Sequence, residues 1–191
     1  MLELLSEQDY RTTPWKNGKG VTQDVLLLPQ GASHENFDIR ISRAPIVDES
    51  QFSPFPGIDR TITRIGDNPL VLRFEDGREV MLEHLSPYRF DSALAPFSRL
   101  PVGATQVLNV MTRRRRWDAR VAVIGGADAA GMSVPSGGLL VVHVMCGECT
   151  ADAGRIEAGE TLVVRDVAEV DIAPGKGSAC LVAVIEPETE L

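Results

Sequence analysis

Histidine and cysteine are scarce in this 191-residue chain, at three residues each. His34, His84 and His143 stand apart, with no His-x-His pair and no carboxylate at ligand spacing, whereas a metal hydrolase or dioxygenase needs a clustered set of ligands. No metal site is therefore predicted. Three thiols leave one over in any disulfide scheme, which fits a reducing compartment. Long hydrophobic runs are missing too. Leu139 to Met145 is among the longest and contains a His, far short of the roughly 20 residues that span a bilayer. Met1 to Tyr10 carries Glu3, Glu7 and Asp9 in place of the basic start of a signal peptide. The expectation is a soluble, cytoplasmic protein with no membrane partner. Basic charge is also in deficit: 19 Lys and Arg against 27 Asp and Glu give −8. An acidic surface repels phosphate backbones, which excludes a general nucleic-acid binder but leaves room for a cationic pocket.

What the chain has is short apolar segments rich in Val, Ile and Leu, punctuated by 17 Gly and 12 Pro. Strands are predicted at 25–28, 37–42, 61–65, 69–74, 79–82, 106–111 and 119–124, then at 139–145, 161–167, 169–172 and 179–185. Glu75-Asp76-Gly77-Arg78 reads as a hairpin with the positive φ that primed turns demand, and Glu157 to Glu160 and Pro174 to Gly177 read as further turns. The fold class is all-β, a sandwich or barrel. The Gly-, Ala- and Ser-rich stretch 125–138 lacks strand alternation and is read as a linker, so the economical arrangement is two small β-barrels, at 1–124 and 139–191. Strands from the N-terminal segment can exchange between them.

Four stretches carry chemistry. In Pro14 to Thr22 (PWKNGKGVT), paired glycines permit tight backbone beside Trp15, Lys16 and Asn17, but the spacing is not that of a P-loop. A structural loop pinned by Trp15 explains it equally well. In FDIRIS at 37–42, Asp38, Arg40 and Ser42 share one face of a strand, which is either solvated or the lining of a cavity; period alone does not choose. In FSPFPGIDRTIT at 52–63, an aromatic loop leads into a strand that opens on Asp59-Arg60, and an Arg entering an apolar pocket is a natural partner for a ligand carboxylate. Pairing with a carboxylate from another strand is the commoner fate. The last, LNVMTRRRRW at 108–117, holds the basic run, whose alternation splits its arginines between two faces. Cys146-Gly147-Glu148-Cys149 has redox spacing but follows a strand rather than opening a helix, and reads as a hairpin turn. No Gly-x-Ser-x-Gly elbow occurs.

Read together, PWKNGKGVT, FDIRIS, FSPFPGIDRTIT and LNVMTRR, in that order, resemble the HutD/Ves family of bacterial proteins. The pattern departs at Lys19, where the family usually has Gly, which adds a charge beside the implied site. The resemblance implies a bicupin of two small β-barrels, a homodimer, no cofactor, and a small-molecule binder that moderates histidine utilisation through urocanate or a related carboxylate. The residues fit such a ligand. Arg60 and Arg40 would fix the carboxylate, Trp15, Phe52, Phe55 and Met111 would wall it, and Lys16, Asn17, Thr22 and Asn109 would orient it, with Asp59 beside Arg60 completing the set. The alternative is a metal-independent hydrolase or isomerase that uses Asp59, Asp38 or Lys16 as acid or base.

Overall fold

The structure is a computed structural model that describes residues 1–14, 21–126 and 130–188. Among these residues every ladder between strands is antiparallel, in four sheets. The chain forms two compact units, Arg11–Arg114 and a second made of Met1–Tyr10 with the residues from Arg115 onward. No helix among the described residues is long and apolar enough to cross a membrane.

Strand β1 (Leu2–Leu5) opens the second unit. The first unit follows with β2 (Arg11–Pro14), β3 (Val21–Leu28), β4 (Ile39–Ile46), β5 (Ile58–Arg64), β6 (Leu70–Arg73), β7 (Glu79–Leu82), β8 (Pro87–Asp91), β9 (Phe97–Arg99) and β10 (Thr105–Arg113). Its large sheet has the order β2-β3-β4-β10-β5-β8, and its small one β7-β6-β9. Ile62, Leu70, Leu72, Phe74, Leu82, Phe90 and Val107 form a core. The second unit continues with β11 (Trp117–Gly125), β12 (Ala130–Ser133), β13 (Leu139–Cys146), β14 (Glu148–Ala151), β15 (Gly154–Glu157), β16 (Thr161–Val164), β17 (Glu169–Pro174) and β18 (Ala179–Pro187). These pair as β1-β16-β13-β18-β11 and β12-β17-β14-β15 around a core of Leu140, Val142, Val144, Ile156, Leu162 and Val164.

Three local readings differ from the sequence expectation. The stretch 125–138 contains β12, hydrogen-bonded to β17 from Ala130↔Ile172 to Ser133↔Glu169. As an exposed edge strand of Ala, Gly, Met and Ser it buries almost nothing, so no apolar alternation marks it. The turn after β6 is a three-residue loop in which Gly77 N–H donates to Phe74 O and Gly77 alone takes positive φ, at 84°. That is a type I turn with a bulge, so Asp76 is spared the left-handed conformation a primed turn would force on it. Cys146 to Cys149 is not a hairpin, because β13 and β14 lie in different sheets and the chain passes between them at Gly147, φ 71°. Its thiols are free. Burial raises the Cys149 thiol, and with the neighbouring Cys149 it pushes Cys180 up to about 12.

Candidate functional site

The large sheet of the first unit carries its polar chemistry on one face of four adjacent strands, β3, β4, β10 and β5. Residues directly opposite across a ladder point the same way, and the register aligns Arg40, Met111 and Arg60 in one row and Ser42, Asn109 and Ile62 in the next. Thr22 and Asp24 of β3 fall on the same face, Asp24 opposite Ser42, before a bulge between Asp24 and Leu26 shifts the register. The opposite face, with Ile39, Ile41 and Val110, is itself buried. The polar face therefore meets a cavity of about 570 Å³, lined by Thr13, Thr22, His34, Arg40, Ser42, Phe52, Phe55, Arg60, Asn109 and Met111 among others.

Arg60 is the unusual group. It is 4 % exposed, yet among the described residues its Nε has no hydrogen-bond partner, and its Nη2 donates to Ser53 O at a long 3.3 Å. Its charge sits over the rings of Phe52, Phe55 and Phe90, at 5.2, 5.6 and 5.8 Å. Burial, and then the positive charge of Arg40, pulls the guanidinium down to about 9. Arg40 is handled differently: its Nε donates to Asp24 Oδ1 at 2.7 Å, and His34 Nε2–H donates to the other oxygen, Oδ2, at 2.7 Å. The Asp24 carboxylate is fully buried. Asn109 adds a second orphan, a buried Oδ1 without a partner. A buried donor and a buried acceptor left open on one wall are costly unless a ligand or water engages them.

Of the residues singled out in the sequence, Thr22, Arg40, Phe52, Phe55, Arg60, Asn109 and Met111 all come together at this cavity. Trp15, Lys16 and Asn17 lie outside the described residues. Asp59 does not line the cavity. One residue before Arg60 on a strand, it points to the other face, where its oxygens take Arg114 at 2.6 Å and Arg89 at 2.9 Å. Burial works to raise its pKa, but the hydrogen bonds and charges of Arg114 and Arg89 outweigh this and hold it below the usual value. Asp38 pairs with Arg113 at 2.9 Å and Arg114 also reaches Asp91 at 3.0 Å, so the start of the basic run is spent on carboxylates of the fold. Asp24 and His34 were missed as site residues. The alternation of Thr22 and Asp24 was the available signal, since a carboxylate on a face shared with buried arginines must pair with one.

An all-β chain with a buried arginine facing a cavity has cupin-like structural neighbours, one of them a bacterial pirin from Escherichia coli solved with nickel(II), at 9 % identity, coverage of 99 % of this chain and 100 % of that one, and TM-score 0.68. Among the described residues here, no group of three or more His, Cys, Asp or Glu is placed to hold a metal. The chain belongs to the HutD family, whose profile matches residues 7–182. It is 32 % identical over 119 residues to Protein Ves of Citrobacter koseri, covering 60 % of this chain and 61 % of that protein. It is 29 % identical over 127 residues to an uncharacterized 21.2 kDa protein in the hutC 3′ region of Pseudomonas putida, covering 66 % of each. The chain thus spans under two thirds of the length of either relative. The structure of HutD from Pseudomonas fluorescens SBW25 shares the fold over 99 % of this chain and 100 % of that one, with TM-score 0.84 at 22 % identity.

Proposed function

We propose that this protein is a binder of a small carboxylate, urocanate or a related intermediate, and that it moderates histidine utilisation by holding that acid. The observation that carries the reading is the Arg60 side chain, buried on the wall of a 570 Å³ cavity with its Nε open and no carboxylate partner among the described residues. A guanidinium in that state gains most from a ligand carboxylate, which supplies the missing acceptor and the missing charge together. Phe52 and Phe55 offer flat apolar walls, and Asn109 a hydrogen bond to the rest of the ligand. Membership of the HutD family, and the Pseudomonas putida relative in the hutC 3′ region, support the link to histidine utilisation. The same reading makes each unit a small cupin barrel and the assembly a cytoplasmic homodimer without cofactor, which light scattering checks for the dimer.

Calorimetry with urocanate on the native protein and on Arg60→Ala tests the ligand site. Loss of a desolvated, hydrogen-bonded charge pair costs about 2 to 5 kcal/mol of binding, so the variant is expected to bind about 30- to 5,000-fold more weakly. Equal affinity in the two proteins would sink the assignment. A hydrolase or isomerase reading has one observation in its favour, the His34 ring held by buried Asp24 at the cavity wall, since Asp38 and Asp59 are committed to arginines. Turnover of urocanate, formiminoglutamate or formylglutamate followed by NMR would establish it in place of binding alone.

A further inference from the structure

We propose that Asp24 sets the charge of the ligand this cavity accepts, selecting singly charged carboxylates over dicarboxylates. The inference rests on the carboxylate-binding reading above and specifies its ligand class. Among the described Arg, Lys, Asp and Glu residues at the cavity, the formal charges are those of Arg40, Arg60 and Asp24, and His34 holds the second oxygen of Asp24. Asp24 stands behind the wall, its carboxylate fully buried and engaged by Arg40 and His34 at 2.7 Å each. It cancels the Arg40 charge where that charge sits, and solvent does little to screen it there. Among the described cations of the wall, Arg60 alone is left without a carboxylate partner, with its Nε open.

One carboxylate therefore balances the charge of the described Arg and Asp residues of the wall. A second would find no cation of its own among the described residues and would lie near the Asp24 negative charge, which is the costly arrangement for an ion removed from water. Asp24 acts through Arg40 and His34, so it is a positioning residue for specificity. Asp24→Asn keeps its shape and an oxygen for Arg40 Nε, but frees Arg40 as a second uncompensated cation, and the preferred ligand charge changes with it.

Crotonate and fumarate share a trans four-carbon frame and differ by one carboxylate. Ligand-observed NMR titration at pH 8 gives the ratio of their dissociation constants in each protein. Native protein is expected to favour crotonate by about tenfold or more, and Asp24→Asn to move the ratio at least about tenfold towards fumarate, the size of one charge interaction in a partly screened interior. An unchanged ratio in a variant that retains the native circular dichroism spectrum overturns the inference while leaving the carboxylate reading intact. So does a native protein that prefers fumarate, and this arm decides the matter even if Asp24→Asn does not fold. Binding of neither acid by native protein removes the carboxylate reading and this inference with it.

Discussion

Arg60 and Arg64 lie four residues apart on the same face of β5, and both are buried. Arg64 is held by carbonyls: its Nε donates to Leu82 O at 2.9 Å, and its Nη1 reaches the carbonyls of Gly66, Asp67 and Asn68 at 2.8, 2.9 and 3.3 Å. It staples a loop. Arg60 has no such set, and its buried charge is a cost to the empty fold. Replacing it by Met, of similar length and no charge, is expected to raise the melting temperature of ligand-free protein by about 3 °C or more. The same variant should lose any stabilisation by added urocanate. Thermal unfolding with and without ligand checks both, and a variant less stable than the native protein would show that Arg60 is structural like Arg64. Sequence pattern brought both arginines to a strand face, but which one is free depends on carbonyls up to 18 residues away.

At the scale of elements, the ion pairs on the other side of the sheet tie β5, β8 and the end of β10 together through Asp59, Asp91, Arg89 and Arg114. The folded Asp59 carboxylate titrates below its ordinary value of 3.8. Its contribution is then fully present above that value and is lost as pH falls through the lower folded one. Asp59→Asn should be less stable than native protein at pH 7, and the gap in urea midpoint should close below about pH 4. A gap independent of pH would mean the carboxylate charge is not what stabilises. Gly147 makes a different demand. At φ 71°, an added Cβ would lie 2.2 Å from Ser178 Oγ, whose hydroxyl accepts from Glu148 N–H at 2.9 Å. Gly147→Ala is expected to destabilise by about 1 to 3 kcal/mol in urea unfolding, through backbone strain and displacement of that hydroxyl. Strands with apolar alternation were legible beforehand. The edge strand β12 and the sheet change at Gly147 were not, because neither buries a patterned face at that point in the chain.

For the whole molecule the net charge is −8, yet the described wall of the cavity carries excess positive charge. Surface charge is screened by salt within about 8 to 10 Å, and a buried pair much less. Carboxylate affinity should therefore change by no more than about threefold between 50 and 500 mM salt, as calorimetry can check. A steep decline would move binding to the exposed arginines. Grouping of the chain also follows long-range pairing: β1 lies at the start of the chain but pairs with β16 from Leu2↔Val164 to Leu5↔Thr161, so the first residues belong with the last.

Sequence alone determined the all-β class, most central strands, the polar face of β4 and the ordered motifs that mark the HutD family, because side-chain alternation and turn residues act over a few positions. Only the tertiary structure decided that this face meets a cavity, that Asp59 turns away from it, and that Asp24 neutralises Arg40 while Arg60 stays unpaired. The physical reason is that charge compensation is settled by registers between strands far apart in the chain. The scarcity of histidine has the same outcome: one of the three, His34, finds its partner in Asp24 only once β3 and the loop after it are folded.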